Sequence, residues 1–130
     1  MLTIEHLSLQ LPYYLTWWKR EWATCLDNLT LRFQPGGVHA VVGASGAGKS
    51  LLAYAIMGLL PSSSRLSGQL GYQGKPLDAA RQRLLRGQAL ALIPQSLNAL
   101  DPLVRTHRQV TWAAQRAGHT SANAGHAAQH

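Results

Sequence analysis

The sequence predicts an α/β fold organised around one strand–loop–helix unit, and three observations predict it. Val38 to Val42 is a short apolar run of the kind that forms a strand buried on both faces. Residues 43 to 48 then read Gly-Ala-Ser-Gly-Ala-Gly, a glycine-rich loop. That loop opens into Lys49 to Leu60, whose length and Leu, Ala, Ile and Met content suit a buried helix.

The other elements follow in chain order. Leu7, Leu9 and Leu11 alternate with Ser8 and Gln10, the period of a half-buried strand. An aromatic and basic stretch, Tyr13 to Trp22, comes next, and alternation resumes at Leu29, Leu31 and Phe33 until the turn signal Pro35-Gly36-Gly37. Pro61-Ser62-Ser63-Ser64 is expected to end the helix. Gly68 to Gly74 reads as a short exposed strand closed by a glycine turn, and Ala79 to Arg86 as a basic amphipathic helix capped by Gly87. Ala89 to Ile93 is a second candidate for a buried strand, broken by Pro94. A loop around Asn98 to Pro102 gives way to weak helical character near Val104 to Ala117. The remainder, to His130, has no periodicity and is expected to fray.

Composition narrows the function classes. The 130 residues suffice for one compact domain and not for two. Hydrophobic residues make up 46% and charged residues 13%, too apolar for a disordered chain. The longest apolar run, Leu51 to Leu60, is half of the roughly 20 residues that span a bilayer. Met1 to His6 has no basic stretch leading into an apolar one, so no export signal is expected. A single cysteine, Cys25, excludes an internal disulfide and fits a reducing compartment. Twelve Lys and Arg against five acids give a net charge of +7. Lys19-Arg20, Arg81/Arg83/Arg86 and Arg105/Arg108 lie far apart, however, and no run of five or six like charges occurs, so nucleic acid is not the expected partner. The scarcity of acids suits a protein whose acidic part lies elsewhere.

One motif carries chemistry. Gly43-Ala44-Ser45-Gly46-Ala47-Gly48-Lys49-Ser50 matches the phosphate-binding pattern G-x-x-x-x-G-K-[ST]. Glycines at 43, 46 and 48 allow backbone conformations in which successive N–H groups turn inward as a nest for anions. The helix starting near Gly48 points its positive end at the same place. Lys49 supplies a mobile cation for the β- and γ-phosphates, and the Ser50 hydroxyl ligates Mg²⁺. The binding set runs from Gly43 to Leu51 and is read as a nucleotide-phosphate site that takes Mg²⁺.

The flanking residues carry a resemblance. "LDNLTLRFQPGGVHAVVGASGAGKSLLAYAIMGLLP", "SGQLGYQGKPL" and "RGQALALIPQSLNALDPLVR" occur in the order found in the first half of an ABC transporter ATP-binding subunit. Over residues 2 to 110 the chain most resembles the oligopeptide, dipeptide and nickel importer group. The resemblance implies ATP as the nucleotide and a P-loop NTPase fold of the ABC type, with residues 1–95 forming part of the nucleotide-binding core and 96–130 beginning a helical subdomain. Gln95 would be the Q-loop residue, contacting Mg²⁺ and the attacking water and coupling the site to a transmembrane partner. An aromatic residue near the end of the first strand stacks on adenine in this family. Leu11 aligns there most simply, and Tyr13 or Tyr14 is expected to substitute.

Other family parts are missing. After Gln95 the only acid is Asp101, no glutamate follows Glu21, and the L-S-G-G-Q signature is absent; Leu66-Ser67-Gly68-Gln69 precedes its proper place and lacks one glycine. The chain thus resembles an incomplete domain, expected to bind ATP and not to hydrolyse it alone. The implied partners are transmembrane permease subunits, a second ATP-binding subunit and, indirectly, a solute-binding protein, at the cytoplasmic face of the membrane. A small P-loop kinase, a basic nucleic-acid-binding protein and an inactive truncated product are the alternatives. His119, His126 and His130 are expected to be solvated, and His39 to be a hydrogen-bonded core residue of its strand.

Overall fold

The computed structural model describes residues 1–44, 46, 48–93, 101 and 103–118. The chain divides into two compact units, Met1–Gln82 and Arg83–His130.

The first unit is built on a four-stranded antiparallel sheet. Its strands are β1 (Leu2–Thr16), β2 (Lys19–Phe33), β3 (Arg65–Tyr72) and β4 (Lys75–Pro76), in the order β2-β1-β3-β4. The leucine alternation does what its period requires. Ile4, Leu7 and Leu9 are fully buried and meet Leu26 of β2 together with Leu52 and Ala55 of α1 (Lys49–Met57). The change from Ile4 to the odd-numbered positions comes from a bulge at His6, whose φ is 51°. Across the pair Asn28 is also left-handed, at φ 46°, and its side-chain oxygen lies 2.8 Å from His6 Nδ1. Two further bulges on β2 carry the pairing from Leu7↔Leu29 through Leu9↔Leu26 to Gln10↔Thr24.

The stretch Tyr13 to Trp22, to which the sequence assigned no element, is the outer half of a long hairpin that turns at Trp17-Trp18, with Tyr13 opposite Glu21 and Tyr14 opposite Arg20. Four expectations are corrected, on the end of α1, Val38 to Val42, Ala89 to Ile93 and His39. Helix α1 stops at Met57, before the Pro-Ser segment. Gly58 takes φ 64°, and the N–H groups of Gly58 and Leu59 bond back to Ala55 and Tyr54, a Schellman ending. Val38 to Val42 is neither a strand nor buried. A strand buried on both faces needs hydrogen-bonded neighbours, and none of the described strands pairs with it. Ala89 to Ile93 likewise forms no strand, contributing one bridge between Arg86 and Leu90. The described sheet is therefore wholly antiparallel, and His39 is exposed: its Nε2 accepts the Gln34 N–H at 3.2 Å, and its ring meets Phe33 edge-on.

Helix α2 (Ala79–Leu85) begins where the Asp78 carboxylate accepts the Arg81 N–H at 2.8 Å, and runs across the boundary between the units. In the second unit, α3 (Thr106–Arg116) occupies the weakly helical stretch. No described helix is long and apolar enough to cross a membrane.

Candidate functional site

The glycine loop lies against the inner face of the sheet because Gly48 permits it. Gly48 is buried with φ 78°, and a methyl group there would stand 2.7 Å from both the Cys25 carbonyl oxygen and Leu26 Cδ2. Neither Cys25 nor Leu26 belongs to the loop motif. They form the floor on which it rests, a role whose only sequence trace is the apolar alternation of β2. Gly46 is also left-handed, φ 80°, but faces open space.

Helix α1 begins directly after this turn. Its first backbone hydrogen bond runs from the Leu52 N–H to the Gly48 carbonyl at 2.8 Å. The N–H groups of Lys49, Ser50 and Leu51 therefore lie outside the helical ladder. Among the described residues no side chain caps this end, and no acid occupies the first turn. The partial positive charge of the helix start is thus uncompensated within the helix. Lys49 Nζ reaches back over the loop to the carbonyl oxygens of Gly43 at 2.6 Å and Ala44 at 2.5 Å. Ser50 is exposed on the first turn, while Leu51 packs against the core.

The far end of α1 is fixed by a residue that pattern reading passed over. Gln82 of α2 is buried, and its amide donates to the carbonyls of Ala55 at 2.8 Å and Ile56 at 3.1 Å. It shares the Ala55 carbonyl with the Gly58 N–H and takes the Ile56 carbonyl, which lies beyond the last helical bonds. A polar residue amid the basic positions of α2 gives no sequence signal of burial.

The two tyrosines separate. From Leu7 to Tyr14 β1 pairs without an extra residue of its own, so Leu9, Leu11 and Tyr13 share the face that carries α1, and Tyr14 points to the other. Leu11 packs against the core. Tyr13 stands four residues beyond Leu9, which is opposite Leu26, or roughly 13 Å along the strand from the floor of the loop. Its hydroxyl donates to the Glu21 carboxylate at 2.9 Å. That bond, and the negative charge of Glu21, raise the phenol above its ordinary range. Ser45, Ala47, Gln95 and the histidines at 119, 126 and 130 lie outside the described residues.

A cleft of about 330 Å³ lies between Leu26, Leu29 and Leu31 of β2 and the Ala40–Val42 segment, with Lys49 also on its wall. Its lining is mainly apolar, and it marks the space left where that segment pairs with no strand. No cluster of three or more metal-ligating side chains occurs among the described residues.

Comparison with known proteins bears on the whole arrangement. The family model described as ABC transporter matches residues 26–130. An oligopeptide transport ATP-binding protein of Mycobacterium tuberculosis is 37% identical over 92 residues, 67% of this chain and 15% of that protein. A nickel import ATP-binding protein of Brucella abortus is 40% identical over 84 residues, 64% of this chain and 31% of its own length. An oligopeptide transport ATP-binding protein of Salmonella typhimurium is 31% identical over 91 residues, 67% of this chain and 27% of its own. The chain thus spans less than a third of the length of these relatives.

Proposed function

The chain belongs to the ABC transporter family, and from that premise we propose that it holds the polyphosphate of ATP on residues 43–51, as part of a subunit that powers solute import. The family implies a P-loop NTPase fold and nucleotide binding. The finer assignment is an ABC-type nucleotide-binding domain of which this chain supplies a part. One observation carries it: left-handed glycines at 46 and 48 lead into a helix start that has no acid in its first turn and no cap among the described residues, beneath a lysine that reaches across the same loop.

That arrangement suits a polyanion. The N–H groups of Lys49, Ser50 and Leu51, which lie outside the helical ladder, would receive phosphate oxygens, and Lys49 would exchange the neutral carbonyls it now holds for a charged partner. Mg²⁺ would be held by Ser50 and by Gln95, and MgATP supplies the phosphoanhydride whose cleavage powers transport. Tyr13, on the face that carries the loop, is the better placed of the two tyrosines for adenine. Leu11 packs inward, and Tyr14 faces away.

The peptide and nickel names of the relatives support a peptide or nickel importer. The partners on this reading are membrane permease subunits, a second ATP-binding subunit and, indirectly, a solute-binding protein, met at the cytoplasmic side of the membrane. Titration with a fluorescent ATP analogue tests the reading. Lys49→Ala is expected to lower affinity about ten- to hundredfold, as loss of a charge-assisted contact does. Equal affinity in both proteins overturns it.

A further inference from the structure

The hairpin formed by β1 and β2 continues past the sheet that supports it. The last pairing with β3 is Gln10↔Arg65, so residues 11–16 and 19–23 form a two-stranded ribbon projecting roughly 20 Å. Its end is apolar and uncovered: Trp17 is 85% exposed, Trp18 69%, Tyr14 66% and Leu15 57%. Trp17 and Trp18 meet edge to face, 5.0 Å between ring centres. Cations line the same ribbon. Lys19 is exposed and pairs with Glu21 at 3.0 Å, while Arg20 and Arg65 lie over the Trp22 ring at 4.4 and 3.7 Å. The family model begins at residue 26, so nothing in the family match accounts for this tip.

We propose that the Trp17-Trp18 tip seats in the headgroup interface of an anionic lipid bilayer. Indole rings with an apolar body and one polar N–H settle at the boundary between headgroups and acyl chains. Lys19, Arg20 and Arg65 outnumber Glu21 and match the negative headgroups. Tyr14 and Trp22 share one face of the ribbon, with Trp17 and Trp18 at its end, and the excess of cations beside them matches an anionic lipid surface. Trp17, Trp18, Lys19 and Arg20 are not among the residues assigned to the nucleotide, so the docking stands or falls separately from it.

Vesicle sedimentation and tryptophan emission test it, using phosphatidylcholine vesicles with and without phosphatidylglycerol. The chain is expected to bind the phosphatidylglycerol vesicles, with a blue shift and with quenching by lipids brominated on the acyl chain. Trp17→Ser/Trp18→Ser is expected to lower partitioning by about tenfold or more, with an unchanged circular dichroism spectrum because both side chains are exposed. Lys19→Gln/Arg20→Gln is expected to lower it about twenty-five-fold, at about fivefold per basic residue near an anionic surface. Arg83→Gln/Arg105→Gln, which removes the same charge elsewhere, is expected to lower it less. Equal binding to neutral vesicles, no quenching of the unaltered chain, or equal losses from the two charge pairs overturns the proposal. So does capture only by vesicles that contain membrane protein, which would assign the tip a protein partner.

Discussion

Gly48 meets two demands at once, which sets it apart from Gly46. Both residues are left-handed, but a side chain at 46 meets nothing, whereas one at 48 meets the Cys25 carbonyl and Leu26. Gly46→Ala is expected to cost about 1 kcal/mol from backbone conformation alone. Gly48→Ala adds steric overlap and is expected to cost at least about 2 kcal/mol. Urea unfolding of the two variants checks the difference. Gln82→Ala removes the amide from two carbonyls at the end of α1 and is expected to cost about 1–3 kcal/mol by the same measurement. Tyr13 makes a separate prediction. Its phenol is raised mainly by its hydrogen bond to Glu21 and further by that residue's charge, so the bond persists below the ordinary phenol range and is lost as pH rises through the raised value. Phenolate absorbance should show a late-titrating tyrosine that Tyr13→Phe removes and Glu21→Gln returns to the ordinary range.

At the scale of elements, none of the described strands flanks the ribbon beyond Gln10, and a two-stranded hairpin is marginally stable by itself. Amides of Tyr13 to Glu21 are expected to exchange at least about tenfold faster than those of Ile4 and Leu9, which hydrogen exchange read by mass spectrometry or NMR would show. The inner halves of these strands were legible because Leu7, Leu9, Leu29 and Leu31 carry a period set by one buried face. The outer halves were not: Trp17-Trp18 lacks the Asn-Gly or Asp-Gly chemistry that announces a two-residue turn. The stop of α1 was misplaced because Gly58 lies inside an apolar run, where a glycine reads equally as a tolerated helical residue. Val38 to Val42 has the composition of a buried strand, but burial of a strand depends on neighbours that composition does not report. The glycine loop was legible in full as a pattern; its floor was not, since Cys25 and Leu26 reach it only through the fold.

For the molecule as a whole, the acids decide what chemistry the 130 residues support by themselves. Of the five, Asp78 caps α2, Glu21 accepts from Tyr13 and pairs with Lys19, and Asp101 accepts the Leu103 N–H at 2.9 Å within its own loop. Glu21 and Asp78 are thereby engaged away from Lys49 and Ser50, and neither is set to activate water there. Steady-state phosphate release from the purified chain is expected to stay at background with MgATP present. Release that depends on Lys49 would show that a base has been missed.

The direct measurement of the central claim is an amide NMR titration with MgATP. Phosphate seated where we place it shifts the N–H resonances of Gly46 and of Gly48 to Leu51 first, and Lys49→Ala weakens those shifts. Saturable shifts confined to other residues, or shifts at the loop that Lys49→Ala leaves unchanged, would contradict it.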